Sequence, residues 1–244
     1  MKATQLEFRL RILIAALMYV IGFWAPWTRY GDAAPATTAW LALSTTLANW
    51  GWLRLDQSTL LVTLLAILCA GAGAALRIWG AAYLGPSVVQ SSAMQAGQVM
   101  ASGPYRFVRN PLYLGTLIFS LGVSILMPPS GAIFFLVAMV IFYFRLILGE
   151  EAWLAVRLGA PYLEYRNRVP RLLPSLRPRT PRVPSRPQWI QAFVSEIFSA
   201  GFALCLAVLS WRYEPQILIR CVLICFGLSL VVRALIPASP ASAE

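Results

Sequence analysis

The sequence predicts an all-α, polytopic membrane protein with about six transmembrane helices, and three observations carry that prediction. Apolar residues make up 59% of the 244 and charged residues only 12%, with a mean hydropathy of +0.69. A soluble domain has about 45–50% apolar and about 25% charged residues. So few charges cannot cover a water-facing surface, and most of the chain must face lipid. Uncharged runs long enough to cross a hydrocarbon core recur along the chain, and the basic residues between them fall mainly on one side.

Residues 12–28 carry no charge between Arg11 and Arg29 and form the first span. A signal peptide is the competing reading, because Lys2, Arg9 and Arg11 precede the apolar run. The run continues into Trp24, Pro26 and Trp27 with no small-residue cleavage pattern, which favours a retained span. Residues 33–53 are uncharged but rich in Thr, Asn and Trp, and read as an interfacial helix rather than a further span. Residues 57–76, closed by Arg77, form the second span, and Gly71, Gly73 and Ala75 offer a smooth face for close helix approach. Residues 110–144 are uncharged for 35 positions and are broken at Met127-Pro128-Pro129-Ser130-Gly131. Such a sequence makes a tight turn, so this stretch folds as a helical hairpin whose second arm runs to about Leu148. A last apolar pair, residues 193–209 and 216–236, is split by Trp211-Arg212-Tyr213-Glu214-Pro215.

With both termini in the cytoplasm, 16 of the 20 basic residues lie on the inner side, and only Arg29, Arg54, Arg212 and Arg220 lie outside. Nineteen of the 20 are arginine and the net charge is +11, yet the hydropathy points to anionic lipid headgroups as partners and not to nucleic acid. The chain has no histidine, which removes imidazole base catalysis, His-containing metal sites and the Ser-His-Asp triad. Cys69, Cys205, Cys221 and Cys225 lie in apolar runs and read as small buried hydrophobes, so no metal and no disulfide is expected. Residues 174–188 hold five prolines and four arginines and predict an extended strap against anionic headgroups. The organisation is then an N-terminal unit over 1–76, a core over 77–174, a linker over 175–188 and a C-terminal helical hairpin over 189–244. Glu196, near the cytoplasmic end of the fifth span, is expected to snorkel to the interface.

Two cytoplasmic stretches are too polar for lipid and too patterned for a plain loop. In the first, Asn110 followed by Pro111 predicts a helix start, with Asn capping the free amides and Pro at the first helical position. Arg106 and Arg109 stand beside that helix N-terminus and strengthen an anion site. In the second, Glu150 and Glu151 sit at the end of the fourth span, with side chains about 100° apart on a helix. A local salt bridge to Arg145, Arg157 or Arg106 is the bland alternative. The hairpin brings Asn110 and Glu150 to the same side, so that a positive site faces a carboxylate pair, as a zwitterionic ligand requires.

These residues resemble a known family. Gly103-Pro104-Tyr105-Arg106 followed by Arg109-Asn110-Pro111-Leu112-Tyr113 is similar to the Gly-x-Tyr…Arg-His-Pro-x-Tyr signature of isoprenylcysteine carboxyl methyltransferases and their bacterial relatives. Glu150-Glu151, then Gly159, Tyr162, Tyr165 and Arg168-Val169-Pro170, follow in the family's order, and the resemblance covers about residues 77–174. It implies a membrane methyltransferase with a hairpin catalytic core, a cytoplasmic S-adenosylmethionine pocket and a lipid-like or prenylated acceptor entering from the bilayer. Tyr105, Asn110, Pro111, Tyr113, Leu114, Gly115, Glu150 and Glu151 would line the cofactor pocket, Arg109 and Arg168 would sit near the acceptor carboxylate, and Tyr162 and Tyr165 would contact substrate. Asn110 replaces the family's usual His and cannot gain a proton, but a carboxylate acceptor is already ionised at pH 7 and needs no base. Three other readings stay open: lipid amine methylation, an NADPH-dependent sterol-type reductase with a similar Arg-x-Pro-x-Tyr signature, and a non-enzymatic transporter or scaffold.

Overall fold

A computed structural model describes residues 2–24, 37–84, 102–181, 185–212, 220–221 and 224–231. The predicted turn around Tyr213 and Glu214, the end of the first span and most of the last one lie outside the described residues. Within them the chain is helical, with no strand. In order the helices are α1 (Gln5–Arg9), α2 (Arg11–Trp24), α3 (Ala39–Asn49), α4 (Leu55–Leu84), a 3-10 turn (Gly103–Arg106), α5 (Pro111–Ser124), α6 (Pro129–Leu158), α7 (Ala160–Arg168), α8 (Trp189–Ser195) and α9 (Ile197–Arg212).

Among the described residues two helices are long and apolar enough to cross a membrane: α4 and α6, each of 30 residues. At 1.5 Å per residue each reaches about 45 Å, beyond the roughly 30 Å of a hydrocarbon core. They carry lipid-facing rows of exposed aliphatics, such as Leu64 and Leu68 on α4 and Val137 and Ile141 on α6. A third crossing results if α8 and α9, bent by 68° at Glu196, form one broken span. Helices α2 and α5 have 14 residues each, about 21 Å and shorter than a full crossing. Both are apolar as expected, and residues 25–28 of the expected first span lie outside the described residues. Arg77, expected to close a span, lies inside α4, which continues to Leu84.

The hairpin forms as predicted, α5 turning at residues 125–128 into α6. Helix α3 docks on that turn: its Ala39 and Trp40 amides donate to the carbonyls of Met127 (2.7 Å) and Ile125 (2.8 Å). Trp40 Nε1 donates to Thr63 Oγ1 on α4 at 2.7 Å. Phe119, Val123, Met127, Phe135 and Met139 fill the space behind.

Helices α4 and α5 lie backbone to backbone. A Cβ on Gly73 would stand 2.5 Å from the Phe119 amide nitrogen, and one on Gly122 would stand 2.6 Å from the Ala66 carbonyl. Such close contact replaces the hydrophobic effect as the glue between helices in lipid. Gly71, expected on the same face, meets nothing within 4 Å.

The predicted snorkelling of Glu196 is overturned. Its side chain is buried, and Arg77 grips it with both Nε and Nη2 at 2.7 Å. Ser199 Oγ adds a third bond at 2.7 Å, and Arg77 also donates to Thr116. A partner inside the bundle costs less than stretching the carboxylate to water from this depth, and the pair pins the α8–α9 break to α4. All four cysteines are free.

Gly73→Ala should destabilise the detergent-solubilised protein by about 1–3 kcal/mol through overpacking, read as a lowered melting temperature. Gly71→Ala should leave the melting temperature within error; equal effects at both positions contradict the close α4–α5 contact.

Candidate active site

The site is built where three segments meet: the loop from Gly103 into the start of α5, the last third of α6, and the chain through α7 to Arg171. Pro111 stands at the first position of α5 as expected, but Asn110 makes no side-chain cap. Its amide instead donates to Glu151 Oε1 and to the Arg171 carbonyl, both at 3.1 Å. A buried carboxylate is a strong charge-assisted acceptor, and holding the Asn110 amide on it turns the side chain away from the capping position.

Glu151 is 4% exposed and is answered on both oxygens. Arg109 Nη2 lies 3.2 Å from Oε1, while Arg171 approaches Oε2 with Nε at 3.1 Å and Nη2 at 2.9 Å. The Arg171 guanidinium also covers the Phe144 ring at 5.6 Å. Glu150, one position earlier, points elsewhere and accepts from Tyr113 Oη at 2.8 Å. Tyr113 packs its ring 5.6 Å from that of Tyr143. The two acids therefore have different partners, as their angular offset on a helix requires. None of the three arginines named beforehand as salt-bridge partners serves: Arg145 pairs with Glu7 at 2.8 Å, Arg106 donates to Thr180, and Arg157 makes no ion pair among the described residues.

The third segment is held by backbone. Arg109 donates through its amide to the Pro170 carbonyl (2.9 Å) and through Nη1 to the Arg166 carbonyl (2.8 Å). Tyr165 Oη donates to the Tyr105 carbonyl at 2.8 Å, and the Tyr162 ring lies 6.1 Å from that of Tyr165. Burial raises the hydroxyl pKa of Tyr105, Tyr162 and Tyr165 above the usual phenol range and pulls that of Arg109 down, Glu151 opposing the last shift. Two buried polar atoms in this region have no partner among the described residues: the Tyr105 hydroxyl and Arg109 Nε. A buried donor left unmade costs about 1–3 kcal/mol, so both mark places for a polar ligand.

The structure brings together Tyr105, Arg109, Asn110, Tyr113, Glu150, Glu151, Tyr162 and Tyr165 around these contacts. Pro111 is buried beside Gly80, and Leu114 is half-buried on α5. Gly115 faces away from the acids: a Cβ there would meet the Arg77 side chain at 2.7 Å and the Gly73 carbonyl at 2.8 Å, so it serves the helix contact. Arg168 is not brought in; it is 55% exposed and pairs with Glu164 at 2.6 Å along α7. Arg171, three residues on, takes the place at Glu151 and was not singled out from sequence. Several arginines crowd residues 166–179, and only the turn after α7 tells which one reaches inward.

Residues 58–160 match the family model described as phospholipid methyltransferase. Protein-S-isoprenylcysteine O-methyltransferase B of Arabidopsis thaliana is 36% identical over 78 residues, which cover 32% of this chain and 40% of that protein. Protein-S-isoprenylcysteine O-methyltransferase of Mus musculus is 31% identical over 147 residues, 58% of this chain and 50% of that protein. The core of the chain is thus similar to phospholipid and isoprenylcysteine methyltransferases. It spans half or less of the length of these curated methyltransferases, and no solved structure matches it. The family-model match runs from α4 to the start of α7, so it includes Tyr105, Asn110, Glu150 and Glu151 and stops before Tyr162, Tyr165 and Arg171. The similarity falls on the stretch that the resemblance singled out, and the long apolar helices α4 and α6 agree with an integral membrane helical frame.

The two arginines expected near an acceptor should separate on substitution. Arg109→Met breaks a buried ion pair and should cost about 3 kcal/mol of stability, whereas Arg168→Met, an exposed pair, should change it by less than about 1 kcal/mol. Chemical denaturation in detergent reads both, and equal losses contradict the placement of Arg109.

Proposed function

We propose that the chain is an integral membrane methyltransferase that uses S-adenosylmethionine and methylates the carboxylate of a lipid-like, isoprenylcysteine-type acceptor. The observation that carries this reading is the direct bonding of the α5 start to the acidic pair of α6, with the orphaned Tyr105 hydroxyl and Arg109 Nε beside it. The donor set fits the cofactor: carboxylates suit its amino group and ribose hydroxyls, and the arginines with the free α5 amides suit its carboxylate.

S-adenosylmethionine, when bound, supplies an electrophilic methyl on a sulfonium. The chain's own part is positioning, which is worth several kcal/mol when reacting atoms are held in line. Tyr113 holds the Glu150 carboxylate by its hydroxyl, and Asn110 and Arg171 hold Glu151. Arg109 Nε, already fixed in plane by its two terminal nitrogens, is free to orient an acceptor carboxylate. No residue of this cluster is a base at neutral pH apart from the two acids, and an ionised acceptor requires none. Arg168, exposed and paired with Glu164, takes no part in this cluster. The proposed topology has six crossings, α2, α4, α5, α6, the α8–α9 pair and the C-terminal helix, with both termini and the site on the cytoplasmic side, as the distribution of arginine favours.

Phospholipid amine methylation is the second reading, favoured by the description of the matching family model. The named relatives favour methyl transfer over a reductase or a passive membrane protein.

Transfer of labelled methyl from S-adenosylmethionine to an S-farnesylcysteine carboxylate and to phosphatidylethanolamine tests the reading. The farnesylcysteine should be labelled, and Glu150→Gln should cut the rate by about 10²-fold with the melting temperature nearly unchanged. Labelling of the lipid amine alone, or full turnover by Glu150→Gln, contradicts it.

A further inference from the structure

The loop from Gly103 to Arg109 has two faces, and its arginines leave by opposite ones. Arg109 turns to Glu151, whereas Arg106 borders a half-open cavity of about 180 Å³ lined by Trp79, Tyr83, Ser102, Gly103, Phe107 and Ser185. None of the acids or tyrosines of the Glu151 cluster lines it. Arg106 Nε donates to the Thr180 carbonyl at 3.0 Å, which fixes the guanidinium plane. Among the described residues nothing accepts from its two terminal nitrogens, and no acidic side chain lines the cavity.

The walls are held from both sides. Trp79 and Tyr83 stand one turn apart at the end of α4, Trp79 packing 6.1 Å from Phe107 and Tyr83 packing 6.3 Å from Trp189. Gly103 has φ +54°, and a Cβ there would stand 2.4 Å from the Tyr83 ring, so glycine alone lets the loop close on that wall. The Pro/Arg-rich strap locks the loop in place: the Ser175 and Arg179 amides donate to the Phe107 and Arg106 carbonyls at 2.9 Å, and the Gln188 amide donates to Ala82 at 2.8 Å.

We propose that this cavity binds the phosphate of an anionic lipid headgroup, with Arg106 as its ligand and Trp79, Tyr83 and Phe107 covering its apolar side. An open guanidinium fork matches phosphate in shape and charge. Aromatic rings at the end of a spanning helix mark headgroup depth, and basic recesses between such helices take anionic headgroups. The volume is below the roughly 300–1,000 Å³ of sites for drug-sized ligands, which suits a headgroup and not a nucleotide-sized cofactor. The site stands whether or not the chain transfers methyl groups. Because Tyr105 and Arg109 lie on the other face of the same loop, its occupant braces the candidate active site from behind.

The test titrates the full-length protein, in neutral detergent, with short-chain phosphatidylglycerol, phosphatidylcholine and inorganic phosphate, following the melting temperature. Phosphatidylglycerol should raise it saturably, phosphatidylcholine much less, and Arg106→Gln should weaken the response about tenfold. Arg106→Lys, which keeps the charge and loses the fork, should fall between. Arg177→Gln, on the exposed part of the strap, should respond like the wild type and so controls for the general attraction of a chain of charge +11. An Arg106-dependent response to phosphatidylglycerol supports the site with a lipid as source, and the same dependence seen with inorganic phosphate alone supports it with a free one. Equal responses from wild type and both Arg106 variants overturn the proposal. If Arg106→Gln does not fold, Arg106→Lys against Arg177→Gln decides alone.

Discussion

A carboxylate that has lost its water must be paired or must give up its charge. Glu151 is such a group, buried near the end of a lipid-spanning helix, and its pairing fixes the geometry of everything nearby. Arg109 and Asn110 come to it from the start of α5, and Arg171 comes from the chain beyond α7. Three segments far apart in sequence are thereby fastened at one point. Glu150, turned away by the helical offset, is left to Tyr113. Removing any one of these donors leaves the carboxylate under-satisfied, so the cluster positions itself as a unit.

A second buried pair performs the same task deeper in the bundle. Arg77 and Glu196 join α4 to the break between α8 and α9. Glu196 lies beyond residue 160, where the family match ends, so an ion pair couples the shared core to helices outside that match. The glycine contacts of α4 with α5 make this possible, since Gly115 leaves room for the Arg77 side chain to reach across. Backbone packing and ion pairing are thus interdependent here: the close approach that stabilises two helices in lipid also sets where the charged side chain lies.

Much of this was legible in the sequence because it rests on local chemistry. The Pro-Pro-Ser-Gly break, the Pro111 helix start and the divergence of Glu150 and Glu151 follow from steric and angular rules that operate over a few residues. What was not legible depends on which distant group wins a competition. Asn110 has a good local use as a cap, and only the arrival of Glu151 from another helix draws it away. Arg168 and Arg171 are alike on paper, and the turn after α7 decides which faces inward. Arg77 read as the end of a span because charge is the usual mark of one, but a partner in the bundle lets the helix continue through it. Glu196 read as snorkelling for the same reason.

The most direct measurement is calorimetric titration of the purified full-length protein, in detergent, with S-adenosylhomocysteine and with NADPH. A pocket built from the Glu150–Glu151 pair and the α5 start predicts saturable heat with the first, lost in Glu150→Gln, and none with the second. Heat with NADPH, or none with S-adenosylhomocysteine from folded protein, contradicts it.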